Sequence, residues 1–242
     1  MRDKKVKALI YGNGNLGDAL ARTCQTLAIS YHLTSKSQCR YSDDFSDENQ
    51  ATVIFNTIGG KPGDTFNDLY RKNIEFNNYL SKQHPNIPIF AFSASEALES
   101  WRSPFGTIKS ALEKLAEAST NIFLFRVANL YGSHKPANQF PQKIKAKYPK
   151  PSILVFPGNP IQPTPVLWLA LKILSGDMHE GDEHIKDIAP SGLTTYAEWA
   201  SEILGAEYNI KSGAMDTERN VFRTLNGKTN PHWRELWIRF KV

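Results

Sequence analysis

The sequence has two cysteines, Cys24 and Cys39, and no His/Cys cluster at metal-ligand spacing. A disulfide framework and a cysteine-based metal centre are therefore not expected, and both thiols read as reduced packing residues. No apolar run approaches the roughly 18 residues that a membrane span needs. Positive charge is in modest excess, with 29 Lys and Arg against 24 Asp and Glu. No basic tract stands out: Lys143, Lys145, Lys147 and Lys150 are spaced like a solvated helix face. A nucleic-acid partner would need a basic stripe interleaved with aromatics, so none is expected. The mild positive field suits an anionic ligand such as a phosphorylated cofactor. A hydrophobic share of 40% excludes disorder as the main state. The apolar stretch Val6 to Tyr11 is broken at once by Gly12-Asn13-Gly14. It reads as a strand rather than a signal peptide, with a cytoplasmic location as the expectation.

Short apolar runs alternate with amphipathic stretches through the first half. Strands are predicted over 6–11, 29–33, 52–56, 87–92 and 122–125, with helices over 16–27, 66–82 and 105–118. That alternation implies βαβ units, a buried parallel sheet and ligands at the carboxyl ends of its strands. After Gly132 the chain becomes proline-rich, and helices are predicted over 166–174 and 196–204. The expected fold is α/β, a Rossmann-type doubly wound parallel sheet of about seven strands with a small C-terminal substrate lobe. The expected organisation is a dinucleotide-binding domain over 1–132 and a smaller lobe over 133–242.

Gly12-Asn13-Gly14-Asn15-Leu16-Gly17 reads G-x-G-x-x-G between a strand and a helix, the context that gives the pattern its meaning. Gly12 permits the tight turn, Gly14 lets backbone approach a pyrophosphate, and Gly17 lets the helix pack on the strand. The helix start offers free N–H groups and a positive dipole end to phosphates. At the end of the second strand, Leu33-Thr34-Ser35-Lys36 contains no carboxylate before Asp43. Hydroxyls and a lysine suit a 2′-phosphate, so NADP(H) is favoured over NAD(H), with Thr34, Ser35 and Lys36 as its contacts. The alternative for Lys36 is a plain solvated loop lysine.

Four further segments follow in order: Tyr70 to Asn78, Phe90 to Ser95, Pro104 to Glu113, and Phe125 to Gly132. With the glycine loop they resemble the atypical or extended short-chain dehydrogenase/reductase superfamily, in particular the NAD-dependent epimerase/dehydratase proteins that act on nucleotide sugars. The resemblance covers most of the chain, and Pro-aromatic-Gly-x-x-Lys-x-x-x-Glu at 104–113 is its strongest match. It extends to Ile185–Leu204, similar to the family's late strand and Tyr-x-Glu-Trp helix in the substrate lobe.

The resemblance implies roles residue by residue. Lys109 matches the lysine that binds the nicotinamide ribose and lowers the pKa of a catalytic tyrosine. Ser95 matches the serine that hydrogen-bonds the substrate oxygen, and Ser93 the upstream serine near the cofactor. Asn73 matches the family's helix asparagine. Asn56, Thr57, Ile58 and Gly59 line the adenosine-ribose side, and Asn129, Leu130 and Tyr131 lie beside the nicotinamide. A nucleotide-sugar substrate and dimerisation through the helix containing Lys109 are further implications.

Two departures stand beside these matches. The tyrosine position is Phe105, which keeps the ring and loses the ionisable oxygen. The first glycine of the extended members' G-x-x-G-x-x-G is Tyr11. Two readings follow. One is an oxidoreductase or nucleotide-sugar epimerase with a substitute acid, for which Tyr131, His134 and Glu96 are candidates. Each has a plainer reading: packing for Tyr131, a loop position for His134, a first-turn helix carboxylate for Glu96. The other is a catalytically inactive NADP(H)-binding sensor or scaffold acting through a protein partner. The aromatic C-terminus, with Trp233, Trp237 and Phe240, is then either a partner surface or core packing.

Overall fold

The computed structural model describes residues 7–34, 51–60, 64–132, 147–148, 153–156, 158–176, 183–204, 208–214 and 225. Cys39, Ser35, Lys36, Asp43, His134, Lys143, Lys145, Lys150 and the aromatic C-terminus lie outside the described residues.

The chain forms two compact units, Met1–Arg126 with Ala170–Lys186, and Val127–Leu169 with Asp187–Val242. The first unit is built on β1 (Lys7–Tyr11), α1 (Asn15–Thr26), β2 (Ser30–Thr34) and β3 (Val53–Asn56). After these come α2 (Phe66–Tyr70), a π-helical turn (Arg71–Glu75) and α3 (Phe76–Gln83). Next are β4 (Ile89–Ala94), a 3-10 segment (Ser95–Arg102), α4 (Pro104–Glu117) and β5 (Ile122–Val127). These strands, with a later one, β10 (Ile185–Ile188), make a six-stranded sheet ordered β10-β5-β4-β3-β1-β2. The pairings β2–β1, β1–β3 and β3–β4 are parallel. The predicted strands and helices of the first half are all present, to within a few residues. Six strands make up this sheet among the described residues, and the sixth comes from the late stretch that the sequence reading assigns to the second lobe.

Why the sheet forms is plain from β1, where Ala8, Leu9, Ile10 and Tyr11 are all buried. A strand covered by helices on both faces carries apolar residues continuously rather than alternately. One core cluster gathers Leu9, Tyr11, Ile54, Leu80, Ile89 and Leu112 between sheet and helices. A row of phenylalanines crosses the strands. Phe55 stacks on Phe90 at 5.6 Å, and Phe90 on Phe125 at 5.6 Å. Each such pair contributes about 0.5–1.5 kcal/mol beyond its buried area.

Helix starts are set locally. Thr65 and Asp68 form a capping box at α2. Ser103 accepts from the Gly106 N–H at α4, with Pro104 in the first turn where its missing N–H costs nothing. The stretch predicted as one helix over 66–82 is helical, but its middle turn widens to a π turn around buried Asn73. There the Phe76 N–H reaches back five residues to the Arg71 carbonyl. The amides of Asn73 and Asn77 donate to the carbonyls of Leu69 and Asn73, each four residues back.

In the second unit are β6 (Leu130–Tyr131), β7 (Ile153–Phe156), β8 (Pro160–Ile161) and β9 (Thr164–Pro165), followed by α5 (Val166–Leu174), of which residues 166–169 belong to this unit and the rest to the first. Then, beyond β10, come β11 (Thr194–Thr195), α6 (Tyr196–Leu204) and β12 (Asn209–Ser212). The strands pair in twos, β6 with β9, β8 with β11 and β7 with β12. Tyr131, Ile161, Trp199 and Ile203 form one of the unit's cores.

Candidate functional site

The glycine loop leaves β1 with Gly12 at φ +98°, a left-handed conformation that a side chain strains. The Gly12 N–H donates to the Thr34 carbonyl at 3.1 Å, joining the loop to the end of β2. A Cβ on Gly17 would lie 1.7 Å from the Gly12 carbonyl oxygen, so only glycine fits where α1 crosses the loop. Gly14 is different: a Cβ there would meet nothing within 4 Å. Gly14 is also the N-cap of α1 and provides no side-chain cap. Two glycines are thus required by the protein's own packing. The third keeps the start of a helix bare, as a pyrophosphate lying against backbone requires.

The turn after β3 closes this end of the sheet. Thr57 Oγ1 donates to the carbonyls of Tyr11 and Gly12, at 2.8 and 3.0 Å. Asn56 is buried, and its Oδ1 accepts from the Ile58 N–H at 3.1 Å. Gly59 has open space where a Cβ would stand. A Cβ on Gly60 would press on Leu69 and come within 3.2 Å of the Phe105 ring.

Lys109, on α4, is 4% exposed. Its ammonium donates to Asn73 Oδ1 and to the Phe92 carbonyl, both at 2.7 Å. It stands 5.4 Å from the centre of the Phe105 ring. Burial pushes the amine down to about 8, with the carboxylates of Glu96 and Glu113 acting in the other direction. Ser93 and Ser95 flank the end of β4. Ser93 Oγ donates to Glu113 Oε1 at 2.5 Å, and Arg126 grips the same carboxylate with two bonds, at 2.9 and 2.8 Å. Ser93 is thereby committed to the protein. Ser95 is not: its hydroxyl has a 3.3 Å contact with Glu96 Oε2, long for such a bond.

Asn129 and Tyr131 belong to the second unit. Asn129 holds φ +44°, accepts from the Gln162 N–H at 3.3 Å and donates to the Tyr196 hydroxyl at 3.3 Å. Tyr131 packs edge-on against Trp199 with ring centres 5.4 Å apart. Its buried hydroxyl has no hydrogen-bond partner among the described residues. Burial raises its pKa far above the usual phenol value, which keeps the hydroxyl neutral.

No family model matches the sequence, and a search of curated proteins finds no match. Solved structures do match. A dTDP-4-dehydrorhamnose reductase from Bacillus anthracis, solved in complex with NADP, aligns with TM-score 0.76 at 17% identity, over 98% of each chain. One from Clostridium acetobutylicum aligns with TM-score 0.74 at 16% identity, over 98% of this chain and 94% of that one. A UDP-N-acetylglucosamine 4-epimerase from Bacillus cereus aligns with TM-score 0.66 at 14% identity, over 98% of this chain and 95% of that one.

This chain has the Rossmann fold of the nucleotide-sugar reductases and epimerases.

The glycine loop of the first unit has the bare helix start that a dinucleotide's phosphates would need. Gly14 leaves backbone open at a helix N-terminus, and Lys109 spends two of its three N–H donors on the protein. Among the described residues no group of three His, Cys, Asp or Glu side chains could hold a metal ion.

The sequence motifs point to Lys109, Asn73 and Ser95 separately, and the structure joins Lys109 to Asn73. Sequence reasoning missed Asn77, whose side chain accepts from Asn56 Nδ2 at 3.0 Å. The signal was available in the i, i+4 spacing of two asparagines on an otherwise amphipathic helix.

A pH prediction follows from Lys109. Its folded pKa, about 8, lies below the usual lysine value, so the unfolded chain binds the proton more tightly. The buried charge therefore opposes folding below about 8, and stability rises from there towards the unfolded value near 10.5. Lys109→Met should lack this rise. Urea unfolding of both proteins across that window checks it, and identical pH slopes would contradict it.

Proposed function

We propose that the chain binds NADP(H) in preference to NAD(H) and acts on a nucleotide sugar as a reductase or epimerase without the usual tyrosine. The observation that carries this reading is the buried Lys109 ammonium, tied to Asn73 and the Phe92 carbonyl. A lysine is rarely buried without a functional or paired role. In this reading Gly12 to Gly17, with the N–H groups of Asn15 and Leu16, receive the pyrophosphate. Thr34, Ser35 and Lys36 face the 2′-phosphate, and Asn56 to Gly59 the adenosine ribose. Lys109 and Asn73 hold the nicotinamide ribose. The bound nucleotide would supply or accept a hydride.

The proton is the chain's own task. Phe105 cannot move one. Ser95 and Glu96 form a pair that can: Ser95 donates its proton to the substrate oxygen, takes another from Glu96 in its carboxylic acid form, and Glu96 takes one from water. Glu96 is partly exposed and can exchange with water.

The test is NADPH oxidation, followed by absorbance, with a panel of nucleotide sugars carrying a carbonyl group. Consumption is the expected result. Tight NADPH binding with neither consumption of the cofactor nor epimerisation of any nucleotide sugar would favour the second reading, a cofactor-binding sensor that works through a protein partner. Phe105 is the observation on that side.

A further inference from the structure

Three buried asparagines are joined by hydrogen bonds that end on Lys109, and the dinucleotide reading uses only the first and the last of them. Asn56 Nδ2 donates to Asn77 Oδ1 at 3.0 Å. Asn77 Nδ2 donates to the Asn73 backbone carbonyl at 2.7 Å. Asn73 Oδ1 accepts from the Lys109 ammonium at 2.7 Å. Asn56, Asn73 and Asn77 are 2%, 1% and 1% exposed, so each bond is shielded from water. We infer that Asn77 is a positioning residue: it holds the π turn that sets Asn73 against Lys109 and ties that turn to the loop after β3.

A π turn shifts the backbone N–H groups to carbonyls five residues back and disturbs the regular ladder. Here side-chain amides supply donors to carbonyls in and beside that turn, Asn73 to Leu69 and Asn77 to Asn73. Buried carbonyls and amides left without partners are costly, which favours this arrangement over a plain helix. Without Asn77 the wider turn loses a support, and Asn73 no longer has a fixed place beside the ammonium. Lys109 then loses an acceptor that stabilises its charged form. The charged groups that face Lys109 are Glu96, from the 3-10 segment, and Glu113, from α4 itself. Neither is bonded to Asn77.

The assignment of a ligand to Lys109 rests on the dinucleotide reading, but the geometric claim does not, and two readouts separate them. In protein with carbon-13-labelled lysine, the Lys109 Cε signal is identified by its loss in Lys109→Met and titrated with pH. NADPH affinity is measured on the same samples. Asn77→Leu keeps the branched shape and removes both hydrogen bonds. It should lower the Lys109 titration by about one pH unit or more and weaken NADPH binding by about tenfold. Asn77→Thr should fall between the wild type and Asn77→Leu in both, because a helical threonine hydroxyl can donate to the carbonyl four residues back but does not replace the amide oxygen that accepts from Asn56. Thr23 does so to Ala19 in α1, at 2.8 Å.

A folded Asn77→Leu protein with an unchanged Lys109 titration overturns the inference. An Asn77→Thr protein as perturbed as Asn77→Leu overturns it too. If Asn77→Leu does not fold, Asn77→Ala carries the same expectations. Failure of the wild type to bind NADPH would remove the dinucleotide reading and leave the titration arm intact.

Discussion

Replacing Phe105 by tyrosine is expected to raise carbonyl turnover by about 10²-fold, the lower part of the range for a well-placed general acid. The ring already stands 5.4 Å from the Lys109 ammonium. A phenol there would feel that charge, and a neighbouring cation lowers a phenol's pKa. The low end of the range is expected because Ser95 and Glu96 already move the proton in this account. Steady-state NADPH oxidation by the two proteins measures the effect. Turnover confined to the Phe105→Tyr protein would make the natural chain the non-catalytic sensor. Equal rates would mean that the proton already has a fully effective carrier.

Two substitutions three residues apart should have opposite consequences, and this is the second large effect. Gly17→Ala places a Cβ 1.7 Å from the Gly12 carbonyl oxygen, and the obstacle is backbone. Overpacking of this kind costs about 3 kcal/mol, or a fall in Tm of roughly 6–12 °C for a chain of this size. Gly14→Asp meets nothing within 4 Å. Aspartate is moreover a good N-cap, so the folded protein should be unchanged or more stable by a few tenths of a kcal/mol. NADPH binding should nevertheless fall by about 100-fold or more, since a carboxylate would stand where the phosphates bind and like charges repel by several kcal/mol. Thermal unfolding and NADPH titration of both variants separate the two effects. Undiminished NADPH affinity in a folded Gly14→Asp protein would take the glycine loop out of the account.

Much of the first unit was legible because its physics is local. β1 is a buried apolar run ended by a glycine turn, and α4 begins at a serine cap followed by proline. Both signals lie within a few residues of the boundary they mark. The π turn was not legible, since periodicity over 66–82 is satisfied by an ordinary helix. The widening depends on two side-chain amides and on Asn56, which is 21 residues away from Asn77. The burial of Lys109 was equally hidden: the motif names the lysine, but its partners Asn73 and Phe92 come from other elements. The small strands of the second unit escaped for a related reason. β6 and β9 are two residues each and pair across the proline-rich stretch, so no alternation exists to be seen. Tyr131 shows the same limit. The motif places it beside the nicotinamide, while its contacts with Trp199, Ile161 and Ile203 arise from tertiary packing within its unit.

The central claim is that the glycine loop holds a nicotinamide dinucleotide and that the chain prefers the 2′-phosphorylated form. Calorimetric titration of the purified protein with NADPH, NADH, NADP⁺ and NAD⁺ tests it most directly. The account predicts binding of NADPH and NADP⁺, each tighter than its counterpart without the 2′-phosphate. Binding of none of the four would contradict it, and equal affinity for NADPH and NADH would contradict the assignment of Thr34, Ser35 and Lys36.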